Sequence, residues 1–246
     1  MTNRAANDEP LIGPMHFRNF VPLLADALFY ASESYTAQER GEAYREASAT
    51  RMCIASCAFA MESAVNCALK KYAPTDFEWR QKENEKLFEK IPLAIFWATG
   101  EQVGISSKPI ADALEIYRLR NMLAHPKDAP SGVTWKNPTE ADECKREIVV
   151  KVPRKKIKGF AAYVYGWGAY EAGTSAAALL TFLTFFFGDA LRLTPGEVAA
   201  MVGSNGEVGG LRINFETKGT QKVIVESLAI LLWRLDFIDL TEVGGH

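Results

Sequence analysis

Between Arg51 and Pro74, apolar residues recur at Ile54, Cys57, Ala58, Met61, Val65, Ala68, Leu69 and Tyr72. Steps of three and four put them on one face of a helix. Pro74, which lacks a backbone donor, closes it. A stripe this long must be covered, and the flanking sequence supplies helices to cover it. Phe17 to Glu33 repeats at Phe17, Phe20, Val21, Leu24, Leu28 and Ala31. The second helix is predicted to begin near Thr36, with Glu39 completing a capping box, and to run on through Lys71. Trp79 to Phe96 predicts a shorter third helix, broken or kinked at Pro92, and Gly100 to Ser106 a loop. Ser107 can cap a fourth helix that starts at Pro109 and ends by His125, because Pro126 disfavours helical geometry in the residue before it. Four helices with short connections make a bundle.

The second half changes character. Pro126, Pro130 and Pro138 mark a boundary. Beyond it, Glu147 to Pro153 reads as a short valine-rich strand, Glu171 to Leu191 as an apolar helix and Thr194 to Glu197 as a helix start with proline just inside. Gly203 to Gly210 reads as a turn, Leu211 to Glu216 as a second strand and Gln221 to Leu235 as a last helix. The expected class is mainly α, a four-helix bundle with a C-terminal α+β extension. Its predicted parts are a polar N-terminus (1–14), the bundle (15–127), a linker (128–145) and the extension (146–246).

Composition narrows the function. A formal charge of -2 over 246 residues leaves no whole-chain cationic field to grip nucleic acid, so any such contact needs a local basic patch. Cys53, Cys57 and Cys67 sit in one helical run as small core residues, and with Cys144 they form no zinc-ligand spacing and no disulfide framework. No metal or cofactor is expected, and a reducing compartment is. Met1 to Pro10 lacks the apolar stretch of a signal peptide, and Thr174 to Phe187 is short for a bilayer span. The expectation is a soluble cytoplasmic protein without membrane contact.

The segment Arg120-Asn121-Met122-Leu123-Ala124-His125-Pro126 carries the clearest chemistry. Arginine stays charged while imidazole titrates near neutrality, a useful pair at a phosphodiester. At about 100° per residue, Ala113, Ile116, Tyr117, Leu123 and Ala124 flank Arg120, so it projects from an apolar face and needs a partner or a ligand. A spacing of five leaves His125 on a different face unless the helix ends at Pro126. Glu62, at the margin of the second helix's apolar stripe, could pair with Arg120 across the bundle or take a proton-bearing imidazole from His125; it could equally reach water. The plain alternative is an arginine that snorkels and a histidine that favours a helix C-terminus.

Arg120 to His125, with the polar Asn121 after the arginine, resembles the R-x4-6-H motif of the HEPN superfamily. Phe59-Ala60-Met61-Glu62-Ser63-Ala64-Val65-Asn66 also looks like an early helix of that fold, and the resemblance covers residues 15–127. It implies a homodimeric, metal-independent endoribonuclease of the toxin, defence or RNA-processing kind, with two motifs meeting in one cleft. By that resemblance His125 transfers protons, Arg120 stabilises charge on the phosphorane and Asn121 orients the site or the phosphate. It further implies RNA as substrate and an antitoxin or other defence protein as partner. The alternative is a non-catalytic HEPN-like module that binds RNA or nucleotides or acts as a scaffold.

Other features are less specific. Lys151, Arg154, Lys155, Lys156 and Lys158, with Lys145 and Arg146 before them, form the one strong basic run and could follow an RNA backbone, or simply guard a strand edge. The aromatic series Tyr163, Tyr165, Trp167, Tyr170, Phe182, Phe185, Phe186 and Phe187 reads as core or interface before base stacking. His16 and His246 have no partners in sequence.

Overall fold

The computed structural model describes residues 18–104, 106–124, 132–135, 148–151, 160, 164–208, 211–214 and 218–240. The molecule is mainly helical. Its helices are α1 (Phe20–Glu39), α2 (Ala43–Tyr72), α3 (Asp76–Lys82), α4 (Leu87–Thr99), α5 (Lys108–Ala124), α6 (Ala169–Thr184), α7 (Pro195–Val202) and α8 (Lys218–Leu231). A single 3-10 turn (Val164–Gly166) precedes α6, and a π-helical turn (Phe185–Ala190) extends it. Two short antiparallel ribbons complete the described elements: β1 (Gly132–Trp135) with β2 (Ile148–Lys151), and β3 (Asn205–Val208) with β4 (Leu211–Asn214).

Helix α2 lies at the centre. Helices α1, α4, α5 and α6 all pack on it, α7 touches it, and α8 packs on α1. The reason is in its sequence. Ala49, Ala60, Ala64 and Ala68 let neighbouring backbones approach, while Ile54, Met61, Val65 and Leu69 fill the gaps, all buried. The core is continuous from Phe20 to Ile238 and crosses the boundary expected at 128–145. Phe20 of α1 meets Phe187 edge-on at 6.0 Å, and Phe182 stacks on Phe186 at 5.4 Å. Trp167, Phe182, Phe186 and Phe187 are therefore core residues. At Gly173 of α6 the Tyr35 side chain of α1 fills the space of a side chain: a Cβ there would collide with the Tyr35 hydroxyl.

Several boundaries differ from the sequence reading. Thr36 does not start a helix; it sits inside α1 with its hydroxyl donating to the Ser32 carbonyl at 3.0 Å. The chain turns at Gly41, in the left-handed region at φ +69°, with Gly41 N donating to Gln38 O at 3.0 Å and Glu42 N to Ala37 O at 2.9 Å. That pair of bonds is a Schellman closure, which outcompeted the capping box. The third helix is two helices, since Thr75 caps α3 through Glu78 N at 3.2 Å and a new start follows at Lys86. Pro92 lies within α4 and does not end it. Ser107 O accepts from Ala111 N, yet its buried hydroxyl finds no partner among the described residues, so it is not a side-chain cap. Residues 205–208, expected in a turn, pair as β3 with 211–214 of the second strand, and the last helix is Lys218–Leu231. Thr194 does cap α7, in a reciprocal box with Glu197.

The segment judged short for a bilayer is part of a longer helical run. By length and composition Ala169–Ala190 and Ala43–Tyr72 could each cross a membrane, and 61% of the apolar window in each is buried within this fold.

Candidate functional site

On α2 the apolar stripe leaves one arc for other residues. Phe59, Glu62, Ser63, Asn66, Cys67 and Lys70 follow one another at steps of three and one, and so fall within about 140° of helix surface. Neighbouring helices leave this arc partly open, and it floors a cleft of about 870 Å³. Arg18, Asn19 and Leu23 line it from the start of α1, Ala200 and Met201 from α7, Trp79 from α3 and Lys71 from the end of α2.

The walls are fixed by hydrogen bonds. Arg18 N donates to Ser204 Oγ at 2.9 Å, and the same hydroxyl donates back to Arg18 O at 2.9 Å. The Arg18 guanidinium donates to Ala200 O at 3.1 Å and Gly203 O at 2.8 Å, placing a cation on the C-terminal carbonyls of α7 where the helix dipole favours it. Lys71 Nζ lies 5.2 Å over the Tyr72 ring. Burial pushes the Cys67 thiol up to about 11, although the charges of Arg18 and Lys70 act the other way.

Beneath the arc is a buried cation. Lys90 of α4 is 1% exposed, and its Nζ donates to Asn66 Oδ1 at 3.0 Å and meets Glu62 Oε1 at 3.5 Å. A buried ammonium requires such partners. Glu62 is thus the counter-charge of Lys90. Of the partners the sequence left open to it, Glu62 makes no ion pair with Arg120, and His125 lies outside the described residues.

Arg120 finds other company. On α5 the buried residues are Ile110, Ala113, Ile116 and Leu119, and Arg120, four residues after Ile116 and seven after Ala113, lies on the same face, itself half-buried. Its guanidinium carbon is 4.7 Å from the Phe59 ring centre on α2 and 5.3 Å from that of Tyr117 one turn earlier. Nη1 donates to Asn121 Oδ1 at 2.9 Å. Two aromatic faces and one amide therefore resolve the burial problem that the sequence posed. Phe59, 40% exposed, is shared: it supports Arg120 and also lines the cleft.

The structure brings Arg120, Asn121 and Phe59 together and gives Glu62 to Lys90. His125, Arg154, Lys155, Lys156 and Lys158 lie outside the described residues, as do His16 and His246, and Lys151 is described only as backbone at the end of β2. Lys90 and the wall residues Arg18 and Trp79 escaped sequence reasoning. The interruption of α2's apolar pattern by polar side chains at helical spacing was the signal for the floor; nothing local announced the walls. The chain matches no family model, no curated protein and no solved structure.

Proposed function

We propose that the chain is a HEPN-like, metal-independent endoribonuclease, a helical bundle with an α+β C-terminal extension, working as a cytoplasmic homodimer in a toxin, defence or RNA-processing setting. The posture of Arg120 carries this reading. One guanidinium N–H is spent on Asn121, the ring faces hold its plane, and among the described residues it makes no ion pair. A planar cation held this way, in the last turn of α5 and five residues before a histidine, is preorganised for an oxyanion.

In the reaction the ribose 2′-oxygen bonds to phosphorus and the P–O5′ bond breaks. The products are a 2′,3′-cyclic phosphate and a 5′-hydroxyl, which takes up a proton. His125 serves the proton transfers, Arg120 the charge on the phosphorane, and Asn121 the aim of Arg120. Lys151, Arg154, Lys155, Lys156 and Lys158 are assigned to the RNA backbone, and an antitoxin or other defence protein is the expected partner. Free buried thiols at Cys53 and Cys57 support a reducing compartment.

The test is RNA cleavage with a chelator present, comparing wild type with Arg120→Ala and His125→Ala and identifying the product ends. A loss of about 100-fold or more in both variants, with helicity and dimerisation intact, is expected. Equal cleavage by all three proteins would sink the assignment. A second reading is favoured by the same contacts, since an arginine engaged by Phe59, Tyr117 and Asn121 suits a structural role. Under it the chain is a non-catalytic RNA-binding or scaffolding module, and RNA is retained uncut by wild type and by both variants.

A further inference from the structure

The cleft on α2 has features that cleavage at Arg120 does not use. Arg120 does not line it. Its size, about 870 Å³, falls within the roughly 300–1,000 Å³ of small-molecule sites and is well beyond what a single ion needs. Its charge is one-sided: Arg18, Lys70 and Lys71 line it against one carboxylate, Glu62, and that carboxylate is already neutralised by Lys90 from below. Lys70 and Lys71 stand exposed at the end of α2, where Lys71 also acts on Glu197 of α7. Along α2 the polar Ser63 and Asn66 lie between Phe59 and the lysine pair, Asn19 is a further neutral polar group in the lining, and Leu23, Trp79 and Met201 add apolar surface.

We propose that this cleft binds a small organic anion with a flat, ring-bearing body. The anionic head would face Lys70 and Lys71, Ser63 and Asn19 would supply hydrogen bonds, and the ring would lie against Trp79 and Phe59. The buried Lys90 is the second element of a built site. By holding Glu62 and Asn66 it removes the negative charge that would repel such a head, and it fixes the two side chains that shape the floor. The inference is independent of the ribonuclease reading, because none of Arg120, Asn121 and His125 takes part in it.

The probe is 8-anilinonaphthalene-1-sulfonate, an aromatic sulfonate, titrated into the full chain and followed by its fluorescence and by thermal unfolding. One saturable site is expected. Lys70→Gln with Lys71→Gln should weaken it about fivefold or more, from the loss of two partly solvated charge contacts. Trp79→Leu should weaken it by a similar factor through the lost ring contact. The unsulfonated arylamine N-phenyl-1-naphthylamine, which keeps the rings and lacks the anionic head, should bind more weakly. Both lysines are exposed, so their replacement preserves the fold, which circular dichroism checks. Non-saturable binding, or affinity unchanged by the lysine pair and by Trp79→Leu, would overturn the proposal.

Discussion

At the scale of single residues, Lys90 and Glu62 show how burial assigns partners. The lysine is fully enclosed while the glutamate keeps a 26% exposed side chain, so the two are not equivalent to remove. Glu62→Ala strands an ammonium on Asn66 alone and should cost about 2 kcal/mol, less than a fully buried pair because the contact is long and one side is wet. Lys90→Met removes the buried charge and leaves a carboxylate that water can reach, so it should change stability by no more than about 1 kcal/mol. Urea unfolding midpoints of the two variants measure the asymmetry, and equal losses would mean that Glu62 has no part in holding Lys90. Sequence alone identified Glu62 as a margin residue and left it open to Arg120, to His125 or to water, without naming Lys90. A lysine in the middle of Phe88-Glu89-Lys90-Ile91 looks solvated until α4 is docked on α2, and no local pattern reveals that.

At the scale of elements, the α1–α2 turn is decided by Gly41 and not by the hydroxyl at Thr36. With φ at +69° and nothing within 4 Å of a notional Cβ, Gly41 is needed for its backbone alone. Gly41→Ala should cost about 1 kcal/mol by chemical denaturation, and Gly41→Asn less, since asparagine tolerates that region. A loss well above this would point to a contact that the turn does not show. The wrong start at Thr36 is instructive. A Thr-x-x-Glu spacing occurs inside helices too, where the threonine hydroxyl turns back to the carbonyl four residues earlier, as it does here to Ser32. The same pattern at Thr194 marks a true start because Pro195 follows it directly. Helix presence was legible from apolar spacing along α1 and α2, from start and stop signals for α5 and from apolar composition for α6; the ends depended on competition between caps. The face of α5 was legible only in part, because projection placed Arg120 among apolar neighbours without showing that two of the nearest rings, Phe59 and Tyr117, would stack on it.

At the scale of the molecule, the C-terminal helices belong to the core that the N-terminal ones begin. Cys53 Sγ of α2 lies 3.5 Å from Ala172 O of α6, and Glu46 of α2 accepts from Ala169 N at 2.9 Å, capping α6 from across the fold. A chain truncated after residue 145 loses α6 and α8 and uncovers faces of both α1 and α2. It should unfold without a sharp transition, which thermal denaturation followed by circular dichroism would show; a cooperative transition in that fragment would mean the N-terminal half has a sufficient core of its own. The central place of α2 has a kinetic consequence. The amide hydrogens of its middle turns, Cys53 to Leu69, lie where α1, α4, α5 and α6 pack on it together, so fluctuation of one neighbour alone leaves most of them sheltered. They should trade for deuterium only in the rare moments when the entire molecule opens, whereas those of α3, which buries no residue, should trade first.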